Sequence, residues 1–120
     1  MTKVLLVEDD AWLAELEAGV LVKAGYEVQV APHAPAAIEL VDTFQPEVIV
    51  LDVLLAGSTA FALLNELQSY SDTGLVPVVL CTNIADQFDV NRLKEYGIKR
   101  VVDKTTMHPD DLIAAVRSVV

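Results

Sequence analysis

A chain of 120 residues that is 53% hydrophobic, with a mean hydropathy of +0.44, reads as one domain and is too apolar to be a disordered tail. Eighteen Asp and Glu against eight Lys and Arg give a formal net charge of −10, which repels phosphate backbones and anionic membrane surfaces and argues against direct binding to nucleic acid or membrane. Cys81 is the single cysteine, so a disulfide scaffold, a CxxC redox pair and a cysteine-rich zinc site are excluded.

The apolar runs fall far short of the roughly 18–20 residues of a membrane span. Met1-Thr2-Lys3-Val4 lacks the apolar stretch of a signal peptide, so the expected setting is the cytoplasm. In chain order, Val4-Leu5-Leu6-Val7 is a continuous apolar run, the pattern of a strand covered on both faces. From Ala11 to Ala24, the residues Trp12/Leu13, Leu16 and Val20/Leu21 recur at helical spacing, and Gly25 stands at the expected stop. Glu27–Ala31 reads as a second strand and Pro35–Phe44 as a second helix, ended before Pro46. Val48–Leu51 is a third strand. Thr59–Tyr70, with Phe61, Leu63/Leu64 and Leu67 on one stripe, is a third helix. Pro77–Cys81 is a fourth strand with its proline at the first position, where a missing N–H matters least. Asp86–Tyr96 is a more polar helix ended by Gly97, and Lys99–Val102 is a short fifth strand. Pro109 at a first helical position, followed by Asp110 and Asp111, opens a last helix to the C-terminus.

Five strand–helix units in series predict an α/β fold, a parallel sheet with helices on both faces, because each crossover is right-handed. Ligands of such sheets bind at the carboxyl ends of the strands. Those ends carry Glu8-Asp9-Asp10, Asp52, Thr82-Asn83 and Asp103-Lys104. An acidic residue at one strand end is an ordinary solvated turn residue. Carboxylates, a hydroxyl and an ammonium at the ends of four strands form a rim with chemistry. Crowded carboxylates raise one another's pKa unless a cation neutralises them, and a hard divalent ion such as Mg²⁺ takes one or two carboxylates with waters and phosphate oxygens.

With Glu8-Asp9 after the first strand, Asp52 after the third, Thr82 after the fourth and Lys104 after the fifth, the whole chain resembles the receiver domains of two-component response regulators. The separations of 43, 30 and 22 residues between Asp9, Asp52, Thr82 and Lys104 are also similar to the family's. The resemblance implies a flavodoxin-like (βα)5 doubly wound sheet in strand order 2-1-3-4-5, with residues 1–120 as one receiver domain. It implies a regulatory phosphoacceptor rather than an enzyme. Asp52 would take a phosphoryl group from a phosphohistidine of a sensor histidine kinase or phosphotransfer protein. Glu8, Asp9, Asp52 and the backbone carbonyl of Leu54 would hold Mg²⁺ (or Mn²⁺), and Lys104 and Thr82 would bind phosphate oxygens. The fourth helix and fifth strand would form the output surface, read by a downstream protein or by an output domain fused after Val120.

Several positions depart from the family's pattern. The usual aromatic three residues before the lysine is Val101, which can still pack as a β-branched core residue but does not offer the usual coupling to Thr82. The usual proline after the lysine is Thr105. Lys99-Arg100 stand where members that dimerise through this face often carry acidic residues, and like charges there predict no such dimer. Ala56 replaces a frequent proline before Gly57, and Asn83 a frequent small residue. Leu54 and Ile84 occupy the positions that tune hydrolysis of the aspartyl phosphate; both are apolar, which predicts slow self-dephosphorylation.

The remaining singled-out residues read as structural. Trp12 is expected in the core or as a half-exposed cap, with partner contact as the alternative, His33 and His108 as surface or capping residues, and Cys81 as a small buried hydrophobe. Tyr96, at a helix C-terminus, is poorly placed to replace the missing aromatic. Among other functions, a haloacid-dehalogenase-type phosphatase lacks its second aspartate because Leu54 holds that place, and a flavodoxin's phosphate would be repelled by Glu8-Asp9-Asp10. A dinucleotide site lacks G-x-G-x-x-G. The serious alternative is a receiver-like interaction module that works without phosphorylation.

Overall fold

The computed structural model describes residues 1–52, 60–68, 76–82, 94, 97–103 and 108–120. Five strands, β1 (Lys3–Val7), β2 (Glu27–Ala31), β3 (Val48–Asp52), β4 (Val78–Thr82) and β5 (Ile98–Asp103), form one parallel sheet in the order β2-β1-β3-β4-β5. Four helices are described: α1 (Ala11–Lys23), α2 (Ala34–Phe44), α3 (Ala60–Gln68) and α4 (Pro109–Val119). Of the expected helix over Asp86–Tyr96 only Lys94 is described, in helical conformation; the rest lies outside the described residues.

The apolar strands are continuous because both faces of the sheet are covered. Side chains alternate along a strand, so Leu5, Val7, Ile49, Leu51, Val78 and Leu80 pack toward Ala37 and Val41 of α2 and Leu63 and Leu64 of α3. Val4, Leu6, Val48, Val50, Val79 and Cys81 pack on the other face, toward Ala14 and Leu21 of α1 and Leu112 and Val116 of α4. Cys81 is a buried member of this second layer, as expected.

Local chemistry sets the helix ends. α1 stops at Ala24, and Gly25 follows with φ +98°, a conformation that L side chains rarely adopt. Gly25→Ala is therefore expected to cost about 1 kcal/mol in urea unfolding, although a Cβ there would meet nothing within 4 Å among the described residues. The Nδ1 of His33 accepts a hydrogen bond from the Ala36 N–H at 3.1 Å and so caps α2, one residue earlier than the sequence reading began that helix. α2 ends at Phe44, and Gln45 follows in the left-handed region with φ 53°, directly before Pro46. At the start of α4, the His108 N–H donates to Asp111 Oδ2 at 2.9 Å.

Two expectations are corrected. Trp12 is neither core nor half-exposed: it is 71% exposed, and Leu16 on the same apolar spacing is 49% exposed. α1 buries Ala14, Glu17 and Leu21 instead. Apolar residues lie nearly all round this helix, so their spacing could not select the inner face. Val101 does not pack in the core but is 39% exposed. β5 is an edge strand, and its pairing with β4 slips between Val78, opposite Ile98, and Val79, opposite Arg100. The extra residue, Lys99, resets the alternation. Ile98 therefore packs with the α2/α3 layer and Val102 with the α1/α4 layer, although they are an even number of residues apart.

Candidate functional site

Parallel strands bring their carboxyl ends to one edge, and register sets the height of each residue there. Val7 lies opposite Leu51, so Glu8 and Asp52 each follow directly on adjacent strands. Asp52 itself lies opposite Cys81, and Thr82 opposite Asp103. Strands are about 4.8 Å apart, so the backbones of Glu8, Asp52 and Thr82 occupy neighbouring places on the rim. The side chains of Asp52 and Thr82 and the whole of Leu54, Asn83, Ile84, Lys104 and Thr105 lie outside what the structure describes.

The three acidic residues after β1 have separate fates. Glu8 continues the pairing of β1 with β2, its N–H donating to the Ala31 carbonyl at 3.1 Å. Its side chain is only 2% exposed, and its Oε1 accepts from the Asp10 N–H at 3.3 Å. Asp9 is exposed. Asp10 turns away to cap α1: Oδ1 accepts from the Leu13 N–H at 3.1 Å, and its carbonyl accepts from the Ala14 N–H at 2.8 Å. The structure thus gives Asp10 a folding role within the acidic run. Asp10→Ala is expected to lower stability by about 1 kcal/mol, the usual worth of an N-cap, and a urea titration measures it.

A carboxylate buried to this degree is stable as an anion only with compensating partners. The oxygen-only donor set of Glu8, Asp9 and Asp52 fits a hard divalent cation of the Mg²⁺ or Mn²⁺ type, not a nitrogen- or sulfur-preferring metal. Among the described residues, no three His, Cys, Asp or Glu side chains gather as a metal site; the Asp52 side chain and the Leu54 carbonyl are not among those residues.

The profile of the family described as the response regulator receiver domain matches residues 4–117. The chain belongs to that family. Relatives of this receiver include the sensory transduction protein RegX3 of Mycobacterium tuberculosis, 32% identical over 122 residues that take in 99% of this chain and 51% of RegX3. The DNA-binding response regulator MtrA of Mycobacterium leprae is 32% identical over 116 residues, 97% of this chain and 50% of MtrA. The chain therefore spans about half the length of the curated relatives it matches. Among solved structures, the chemotaxis response regulator CheY4 of Vibrio cholerae superposes with a TM-score of 0.90 at 24% identity, covering 100% of this chain and 99% of CheY4, a likeness of fold. A putative response regulator from Chloroflexus aurantiacus gives 0.84 at 27% identity, covering 98% of this chain and 96% of the other. The strand order matches the expectation for a receiver, and receivers of two-component systems are regulatory phosphoacceptor domains.

Sequence reasoning missed Glu17, a carboxylate 3% exposed on the inner stripe of α1. Its signal was the interval Ala14, Glu17, Leu21, which is helical but was masked by the more apolar Leu16. No helix among the described residues is long and apolar enough to cross a membrane.

Proposed function

We propose that residues 1–120 act as a Mg²⁺-dependent phosphoryl-accepting switch with Asp52 as the acceptor. The observation that carries the reading is Glu8, a carboxylate buried at the carboxyl end of β1, level with Asp52 on the adjacent strand. An Asp52 carboxylate oxygen attacks the phosphorus of a phosphohistidine on a sensor histidine kinase or phosphotransfer protein. The P–N bond breaks, and the departing imidazole nitrogen takes a proton. Such a transfer needs in-line positioning and charge neutralisation more than covalent help. Glu8, Asp9, Asp52 and the Leu54 carbonyl would hold Mg²⁺ or Mn²⁺, which when bound supplies that neutralisation. Lys104 pairs with the carboxylate before transfer and with a phosphate oxygen after it, and the Thr82 hydroxyl donates to another.

The added group carries about −1.5 to −2 charges and three acceptor oxygens. Shifting a two-state equilibrium from 1:99 to 99:1 takes about 5.5 kcal/mol, within reach of a few charge-assisted hydrogen bonds. Thr82 ends β4, so the shift passes to the segment after β4 and to β5. Near the start of β5, Lys94, Lys99 and Arg100 line a groove with Ile98, Ser118 and Val119. On a chain of net charge −10, this cationic groove suits an acidic surface of a downstream protein or fused output domain. The exposed Lys99 and Arg100 also oppose pairing of two copies through this face. The overall charge disfavours direct contact with nucleic acid or anionic membrane by this domain, and a cytoplasmic setting suits its partners.

Leu54 and Ile84 offer no group to orient an attacking water, so the phosphorylated form is long-lived. Leu54→Asn and Ile84→Glu are expected to shorten its half-life, measured by the decay of the phosphorylated mass; unchanged or longer lifetimes would refute this. The whole reading is tested by incubation with Mg²⁺ and acetyl phosphate followed by intact mass measurement, with and without EDTA. The exposed Val101, where receivers usually carry an aromatic, favours one second reading, an interaction module that works without phosphorylation. A chain that takes up no phosphoryl group while still binding its partner would support that module.

A further inference from the structure

α1 is apolar well beyond its buried stripe. Its outer face carries Trp12, Leu16 and Val22, the last 54% exposed, with the charged Glu15 and Lys23 exposed beside them. A surface helix ordinarily turns a polar face to water. At the centre of this face stands Gly19. Glycine is the least favourable residue other than proline inside a helix, and nothing in the described fold requires it here. Its φ is not positive, and among the described residues a Cβ built on it would meet no atom within 4 Å. The absent side chain lowers the helix surface at one spot, where another backbone can approach closely.

The charges around Gly19 identify the approaching helix. Glu15 lies four residues before it and Lys23 four after; Leu16 lies three before and Val22 three after. Two copies of α1 crossing antiparallel at Gly19 bring Glu15 of each level with Lys23 of the other, and Leu16 of each level with Val22 of the other. Parallel copies would instead set Glu15 against Glu15 and Lys23 against Lys23. Self-complementarity about a two-fold axis is what an isologous interface requires. From this we infer that the outer face of α1 is a self-association surface whose occupant is α1 of a second copy of this chain, crossing at Gly19. One helix crossing covers less than the roughly 800 Å² per partner of a standard interface, so the dimer is weak and concentration-dependent.

Sedimentation velocity of the full chain from micromolar to millimolar concentration tests this. The weight-average mass should climb from 13.0 kDa toward twice that value, with the emission of Trp12, the only tryptophan, moving to shorter wavelength in parallel. Gly19→Leu should hold the chain at monomer mass while its thermal transition is kept or raised, since it improves helix propensity. Glu15→Lys or Lys23→Glu alone should weaken association at least tenfold at low salt, and the double exchange Glu15→Lys with Lys23→Glu should restore it. A mass that stays monomeric throughout overturns the inference, even if Trp12 responds to another protein. So does a dimer that Gly19→Leu leaves intact, or a double exchange without rescue.

Discussion

Intact protein incubated with Mg²⁺ and acetyl phosphate is expected to gain one phosphoryl unit, and Asp52→Asn to gain none. Asparagine keeps the size and shape of the side chain at the end of β3 but lacks the anionic oxygen that must attack phosphorus. The register that places Asp52 opposite Cys81 is a backbone property, so the variant keeps the sheet while losing the nucleophile and one anionic oxygen of the proposed metal site. Asp9→Asn should slow uptake by about 10²-fold, the usual cost of removing one preorganised electrostatic partner at a reacting centre. Asp10→Ala should leave uptake unchanged while losing stability, because Asp10 serves the N-terminus of α1. An adduct that persists in Asp52→Asn would move the acceptor elsewhere and dismantle the proposed site.

Leu51→Ala is expected to destabilise the fold by about 2–5 kcal/mol, the range for removing a buried leucine and leaving a cavity. Leu51 is 0% exposed, packs in the α2/α3 layer and directly precedes Asp52. Set against a typical total stability of 5–15 kcal/mol, this is the largest single-site loss expected here. A lower urea midpoint with an unchanged m-value identifies it as a loss of stability. Leu16→Ala is the matched control: Leu16 is half exposed, so its removal should change stability by about 0.5 kcal/mol or less. Equal losses at the two positions would show that the outer face of α1 is covered within the monomer.

The contrast between Leu51 and Leu16 marks how far the sequence could be read. Val48–Leu51 is a short run of four apolar, β-branched-rich residues between polar neighbours, the pattern of a strand buried on both faces. Residues 11–24 are apolar on so many positions that helix was legible but not its orientation. The cap at Asp10 and the fit of Ala14 against the sheet turned Glu17 inward and Trp12 outward. The acidic run was legible as a strand-end cluster, while its division into a buried Glu8, an exposed Asp9 and a capping Asp10 was not. That division depends on where the first turn of α1 begins.

Among the described residues, the sequence by itself determined the succession of strands and helices, the parallel sheet, and which acidic and hydroxyl residues end up at strand termini. These follow from periodicity and turn chemistry, which act over a few residues. Tertiary structure alone decided which side of α1 meets the sheet, that one extra residue at Lys99 resets the alternation of β5, and that Val101 on this edge strand stays exposed. These outcomes depend on contacts between segments distant in the chain. A slip of one residue against a neighbouring strand costs little locally, yet it sends every following side chain to the opposite face.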